Sequence, residues 1–322
     1  MRVYKSSLAT ILALVLALPT LAQNSGTTAV IWHDRGDASS LDLAGGAGGK
    51  AREPGTNFKF IKESQGGSSP KFEVEDEKGA RWQVKLGGEA QSETAATRLL
   101  WAAGYFVDEN YYRAQIRVQG LPRLARGQEF VSNGDTVTGA RLERKIDGQE
   151  SVAWSWYDNV FVGTREFNGL RVMMALLNNW DLKEINNGSS SPPGGEGQYR
   201  ITDLGATLGS TGNNFSRSKG ITKDYAETRF IEKVTPTYVD FVMHSRPFFL
   251  AVVNLPNYLD RTRMESVVKR IPIDDARWIG NRMGQFSARQ ISDCFRAGGF
   301  SAADVEVYTR TVTQRIEELK KL

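Results

Sequence analysis

The alternation of apolar and polar residues is sharpest between Asn57 and Leu86. Phe58-Lys59-Phe60-Ile61-Lys62, Lys71-Phe72-Glu73-Val74-Glu75 and Arg81-Trp82-Gln83-Val84-Lys85-Leu86 each alternate with period two, the signature of half-buried strands. Gln65-Gly66-Gly67-Ser68-Ser69-Pro70 and Asp76-Glu77-Lys78-Gly79 are turn-formers, so this stretch reads as an antiparallel meander of three strands. Gly87-Gly88 breaks it. Residues from Ser92 to Ala102 then have the spacing of a helix, with Ser92 as its cap and Gly104 as its stop. Two further strands are predicted, from Tyr112 to Val118 and from Ala140 to Ile146.

The second half changes character. From Arg165 through Asn179 the apolar residues Phe167, Leu170, Val172, Met173, Met174, Leu176 and Leu177 wrap nearly the whole circumference, which predicts a buried helix. A polar loop from Trp180 to Gly197 follows, then a short strand, Tyr199-Arg200-Ile201-Thr202, leading into Asp203-Leu204-Gly205. The chain from Tyr225 to Leu322 reads as mostly helical, interrupted at Pro236, Pro247, Pro256 and Pro272. Nothing repeats at a fixed period, which argues against solenoids and propellers. The pattern predicts an α+β protein, with a strand-rich lobe over 57–148 that holds one helix and a larger, mainly helical lobe over 149–322.

The N-terminus adds a targeting signal. Arg2 and Lys5 precede an apolar run from Leu8 to Leu18 and then Pro19-Thr20-Leu21-Ala22, which reads as a secretory signal peptide over 1–22 cut after Ala22. Export as a soluble periplasmic or extracellular protein is the expectation, because no stretch reaches the length of about 20 apolar residues that spanning a bilayer requires. Residues 23–56 read as an irregular N-terminal extension. Its run Leu43-Ala44-Gly45-Gly46-Ala47-Gly48-Gly49 lacks the Lys-Ser/Thr of a phosphate loop and reads as a flexible linker.

Composition narrows the chemistry. The net charge of +4, from 41 basic and 37 acidic side chains, comes without a concentrated basic stripe, so no nucleic-acid partner is expected. Cys294 is the single cysteine, which rules out an internal disulfide. With only His33 and His244 in the chain, zinc sites and serine-histidine triads, which lean on imidazole, are disfavoured.

The densest cluster of reactive side chains is Asn178-Asn179-Trp180-Asp181-Leu182-Lys183-Glu184-Ile185-Asn186, followed by Asp203 at a strand end. Phosphoryl transfer needs these types: a carboxylate to orient the attacking hydroxyl, an ammonium to offset phosphate charge, and an amide with a second carboxylate for magnesium. Asp181-Leu182-Lys183-x-x-Asn186 resembles the catalytic loop of protein kinases, and Asp203-Leu204-Gly205 resembles their metal-binding Asp-Phe-Gly. Upstream, Gly66-Gly67-Ser68-Ser69-Pro70-Lys71 between strands, Lys85 on the third strand and Glu93 on the next helix are similar to HipA-type kinases and, more distantly, to phosphatidylinositol kinases. The chain also resembles a family of exported bacterial proteins that share the Asn-Asn-Trp-Asp-Leu-Lys and Asp-Leu-Gly-Ala blocks.

The resemblance implies a two-lobed kinase-like fold, with a small antiparallel-sheet N-lobe, a larger helical C-lobe and the site in the cleft between them. It further implies that Gly66, Gly67 and Ser68 cover the phosphates of ATP, and that Lys85 contacts them and pairs with Glu93, Glu89 being the other candidate. By the same resemblance Asp181 orients an unidentified hydroxyl acceptor, Lys183 neutralises the transferred group, and Asn186 and Asp203 bind Mg2+. Asn179 and Trp180 depart from the His-Arg that usually precedes the catalytic aspartate. Other readings of the same residues stand beside this one. Asp181 could cap the chain, Asp203-Leu204-Gly205 could be an ordinary turn, and Lys85 could face solvent. A second class of function is a catalytically silent pseudokinase or an envelope binding module, with Trp154, Trp156, Tyr157 and Phe161 as a stacking platform unless they pack the core.

Overall fold

The computed structural model describes residues 28–67, 69–146, 151–190, 195–212, 217–243 and 250–322; the expected signal segment 1–22, Ser68 and His244 lie outside them. The N-terminal extension carries strand β1 (Ala29–Val30) and three single turns of 3-10 helix. It is not a flexible linker. Ile31, Ala38 and Leu43 are buried in the main core, and Trp32 Nε1 donates to the Ala103 carbonyl at 2.7 Å. The glycine run is held by close approach: a Cβ on Gly46 would stand 2.5 Å from Arg98 Cδ, and one on Gly48 would stand 1.9 Å from the Tyr111 hydroxyl.

The predicted meander is present as β2 (Asn57–Ser64), β3 (Lys71–Asp76) and β4 (Arg81–Lys85). Helix α1 (Glu89–Ala102) follows, then β5 (Phe106–Val107), β6 (Asn110–Gln119), β7 (Val131–Ser132) and β8 (Thr136–Arg144). The sheet closes on itself: β8 pairs with both β4 and β6, and β6 pairs in parallel with β2, from Asn57 against Arg117 to Lys59 against Gln119. Phe72, Val74, Trp82, Val84, Ile116, Val118, Val137 and Leu142 fill the ring. Because side chains alternate along a strand, Val84 pointing inward sends Lys85 to the outer face, where α1 lies.

Helix α1 begins at Glu89, three residues before the expected start, and no side chain caps it. Ser92 does something else, donating to the Glu89 and Gly205 carbonyls at 3.2 and 3.1 Å. At the far end Gly104, with φ 108°, stops the helix as its lack of a Cβ allows. Almost every side chain of α1 is buried, so the helix is packed on all sides rather than lying on a surface.

Helix α2 (Arg165–Leu176), capped by Thr164, is the predicted buried helix, ending earlier than Asn179 because Asn178 turns to φ 52°. Beyond it β9 (Asn187–Ser190) pairs antiparallel with β10 (Gly197–Ile201), which also takes β1 and β5 in parallel on its other edge. The C-terminal third is not helical throughout. After α3 (Thr222–Glu227), strands β11 (Ile231–Val234), β12 (Tyr238–Phe241) and β13 (Ile271–Pro272) form a small sheet. Helices α4 (Leu250–Val253), α5 (Leu255–Ser266), α6 (Ile273–Met283), α7 (Ala288–Ala297) and α8 (Ala302–Lys320) complete the chain.

Leu99 and Leu100 of α1, Met173 and Leu176 of α2, and Phe295 and Tyr308 of α7 and α8 share one core. Burying each such side chain contributes roughly 1.5–3 kcal/mol, so α1 is fixed from behind. Trp154 and Trp156 belong to this core as well, with rings 5.0 Å apart edge to face, which removes them as a stacking platform. Among the described residues no helix is long and apolar enough to cross a membrane.

Candidate active site

Lys85 leaves the outer face of β4 and meets three carboxylates. Its Nζ lies 2.9 Å from Glu93 Oε2, 2.9 Å from Glu89 Oε2 and 3.2 Å from Asp203 Oδ1. The reading of Lys85 as a solvent-facing strand residue therefore fails, since its side chain is only 6 % exposed. Glu93 and Glu89 do not compete for it. Four residues apart, they occupy one face of α1 and hold the ammonium from two sides.

A second shell of contacts fixes the acids. Arg141, which sits opposite Lys85 in the β4–β8 register, reaches Glu93 Oε1 at 3.2 Å and Glu143 at 2.9 Å. Glu89 accepts from Ser69 Oγ at 2.8 Å and pairs with Lys219 through its other oxygen. Gly205 follows from this crowding, because a Cβ there would stand 2.7 Å from Glu89 Oε2. Nothing local in the sequence marks Ser69, Arg141 or Lys219 as partners of this cluster. Glu89 alone had a signal, its spacing from Lys85.

Burial is the largest single effect and works against a charged Lys85, and Arg141 adds to it, but Glu93, Asp203 and Glu89 together outweigh both. The ammonium is held above its ordinary value. Burial likewise favours a neutral Glu89, yet Lys85, Lys219 and Ser69 bring its carboxyl down to about 2. For Glu93 burial is the larger effect and pushes the carboxyl up, with Arg141 and Lys85 opposing.

The loop after α2 forms a second group. Asp181 pairs with Lys183 Nζ at 2.8 Å and with Arg261 of α5 at 3.5 Å. Asn186 Nδ2 donates to the Asp181 carbonyl at 2.8 Å and to its Oδ2 at 3.3 Å. This group is more open: the Asp181 side chain is 22 % exposed and that of Lys183 44 %. The two groups are joined by the β9–β10 pair, in which Asn187 faces Ile201 and Thr202 N donates to the Asn186 carbonyl at 2.9 Å. Asp203 is the next residue.

Asp203 and Asn186 offer the hard oxygen atoms that magnesium prefers. Asp203 Oδ1 accepts from Lys85 and from Gly205 N at 3.0 Å, while Oδ2 has no hydrogen-bond partner among the described residues. Asn186 spends its amide nitrogen on Asp181, which leaves its amide oxygen as the ligand atom. One oxygen each of Glu89, Glu93 and Asp203 lie within 4.8 Å of one another, but the Lys85 ammonium is already paired with all three. Asp203 Oδ2 and the Asn186 amide oxygen are thus the hard oxygen atoms of the two groups that no described residue engages, the donor type that a divalent ion requires.

Gly66 and Gly67 lie exposed at the tip between β2 and β3, with Gly67 at φ 73° and its carbonyl accepting from Arg126 Nη1 at 2.8 Å. Their link to the cluster is Ser69 on Glu89.

No family model and no curated protein matches the chain. Among solved structures it is similar to a Helicobacter pylori proinflammatory kinase, CtkA, at 14 % identity over 83 % of this chain and 94 % of that one, with a TM-score of 0.46. It is also similar to the Golgi casein kinase with Mn and ADP bound, at 9 % identity over 83 % and 73 % of the two chains, with a TM-score of 0.38. Both likenesses are remote, and the residues of this chain bear the functional reading.

Proposed function

We propose that the chain is an exported, two-lobed kinase-like phosphotransferase, which moves a phosphoryl group from ATP to a hydroxyl acceptor with the help of Mg2+. The observation that carries the reading is the Lys85 ammonium of β4, buried and held charged by Glu93 and Glu89 of α1 and by Asp203 after β10. A fixed cation beside a metal-ligating carboxylate is what polyphosphate binding calls for. In this reading Lys85 holds the nucleotide phosphates, and Glu93 with Glu89 positions Lys85. Gly66 and Gly67 cover the phosphates with backbone that carries no side chain. Asp181 orients the acceptor hydroxyl and takes its proton, and Lys183 offsets charge on the transferred group. Asn186 and Asp203 would hold Mg2+, which when bound offsets the negative charge of the phosphates.

The test is transfer of the labelled γ-phosphate of ATP, to the chain itself or to envelope extracts, with and without Mg2+. The wild type is expected to transfer, and Asp181→Asn and Asp203→Ala to lower the rate by about 10²–10⁴-fold. Transfer that survives in both variants overturns the reading. Nucleotide binding without transfer by the wild type leaves a pseudokinase. Export rests on the N-terminal pattern and is tested separately: N-terminal sequencing of protein from the periplasm or medium should begin at Gln23.

A further inference from the structure

Behind α1, on the far side from Glu89 and Glu93, lies a cavity of about 390 Å³ lined by Asp42, Gly45, Lys50, Arg98, Tyr111 and Arg113 among others. Arg98 is 1 % exposed, and among the described residues no carboxylate comes within ion-pair distance of it. Its Nε donates to the Ala44 carbonyl at 2.9 Å and its Nη2 to the Asn110 carbonyl at 2.6 Å, while Nη1 is buried without a partner. Arg315 shows what a structural arginine looks like in this molecule. Also buried and without a carboxylate, it satisfies itself with four bonds to Leu176 O, Asn178 Oδ1, Tyr225 O and Thr228 O.

Arg98 lies over the Tyr111 ring at 5.3 Å, which leaves its Nη1 as the unmet group, and a buried donor without a partner is costly unless an acceptor such as an anion completes it. The acids of the cavity are already engaged. Glu53 pairs with Arg113 at 2.9 Å, and Asp42 accepts from Gly45 N at 3.0 Å. Lys50, by contrast, has no side-chain partner among the described residues. The cover over Nη1 is the glycine run: a Cβ on Gly46 would stand 2.7 Å from it, so the run closes on Arg98 only because it has none.

We propose that this cavity binds a small oxyanion-bearing molecule, a phosphate or a carboxylate, on Arg98 and Lys50 beneath the Gly45–Gly49 run. Arg98 is suited to this because Nη1 keeps its N–H donors unused on a cation that the Ala44 and Asn110 carbonyls hold in place. The site is separate from the nucleotide cleft and does not depend on phosphoryl transfer.

Thermal unfolding of the full chain is followed in potassium phosphate, potassium malonate and potassium chloride at matched ionic strength. Phosphate or malonate should raise the Tm of the wild type over chloride by about 2–4 °C at saturation. Lys50→Ala, an exposed change that leaves the core intact, should lose more than half of that shift, and Arg98→Lys all of it. Lys85→Met should keep it. A response to only one of the two anions assigns the ligand class, and either upholds the site. No shift in the wild type, a shift undiminished in Lys50→Ala, or one lost in Lys85→Met overturns it.

Discussion

Two lysine–carboxylate groups meet at one end of the β9–β10 pair, one before β9 and one after β10, and they differ in how much water they see. Lys85 is 6 % exposed among Glu89, Glu93 and Asp203, whereas Lys183 is 44 % exposed beside Asp181. The distances are similar, near 3 Å in both. In the first, removing one partner strands buried charge. In the second, water can replace any partner that leaves. The buried group is therefore a fixed element of the fold, and the open one can exchange its partners.

The sharpest way to break this contrast is Lys85→Met. It leaves Glu89 and Glu93 without their shared cation and should cost about 3 kcal/mol in urea unfolding, together with nucleotide binding. A loss under about 1 kcal/mol would mean that Arg141 and Lys219 suffice. Next in size is Glu89→Gln. Because the folded carboxyl titrates at about 2 against an ordinary value of 4.5, its contribution is present above about 4.5 and is lost as pH falls toward 2. The variant should be less stable than the wild type by about 2–3 kcal/mol at neutral pH, with the gap closing below pH 4.5. A gap that persists unchanged in acid contradicts the ion-pair origin. Lys219→Ala removes a partner that is 39 % exposed, so about 1 kcal/mol is expected from the same unfolding curves. Smallest is Lys183→Ala, whose midpoint should move by about 0.5 kcal/mol or less. A larger shift would place the loop with the buried group.

Much of this cluster was legible in the chain. Period-two alternation at Phe72, Val74, Trp82 and Val84 gave the strands and, with them, the face of Lys85. The order Lys85, Glu93, Asp181, Asn186, Asp203 marked the residues that the fold then brings into two linked groups. What escaped notice was non-local. The β2–β6 pairing joins segments about sixty residues apart, and no local pattern announces it. Arg141 and Lys219 carry no motif and acquire a role only through the register of β8 and the path of the chain after Gly205. The start of α1 lies ahead of its cap-like serine for a local reason. Ser92 has the chemistry of a cap, but Gly87, at φ 94°, already turns the chain and frees Ser92 to hold the Gly205 carbonyl. In the C-terminal third, strands of two to four residues were too short to show a period, so the sheet β11–β12–β13 passed for helix.

The closure of the strand ring also bears on how the molecule comes into being. Strand β8 threads between β4 and β6, so three neighbours must wait for Thr136–Arg144 before their inner surfaces are sealed. Once it docks, both margins of the five-membered ring are consumed, and only the two-residue β7 borders solvent as an edge. A nascent chain stalled before that point would offer open margins to its neighbours, and the finished ring offers them almost none.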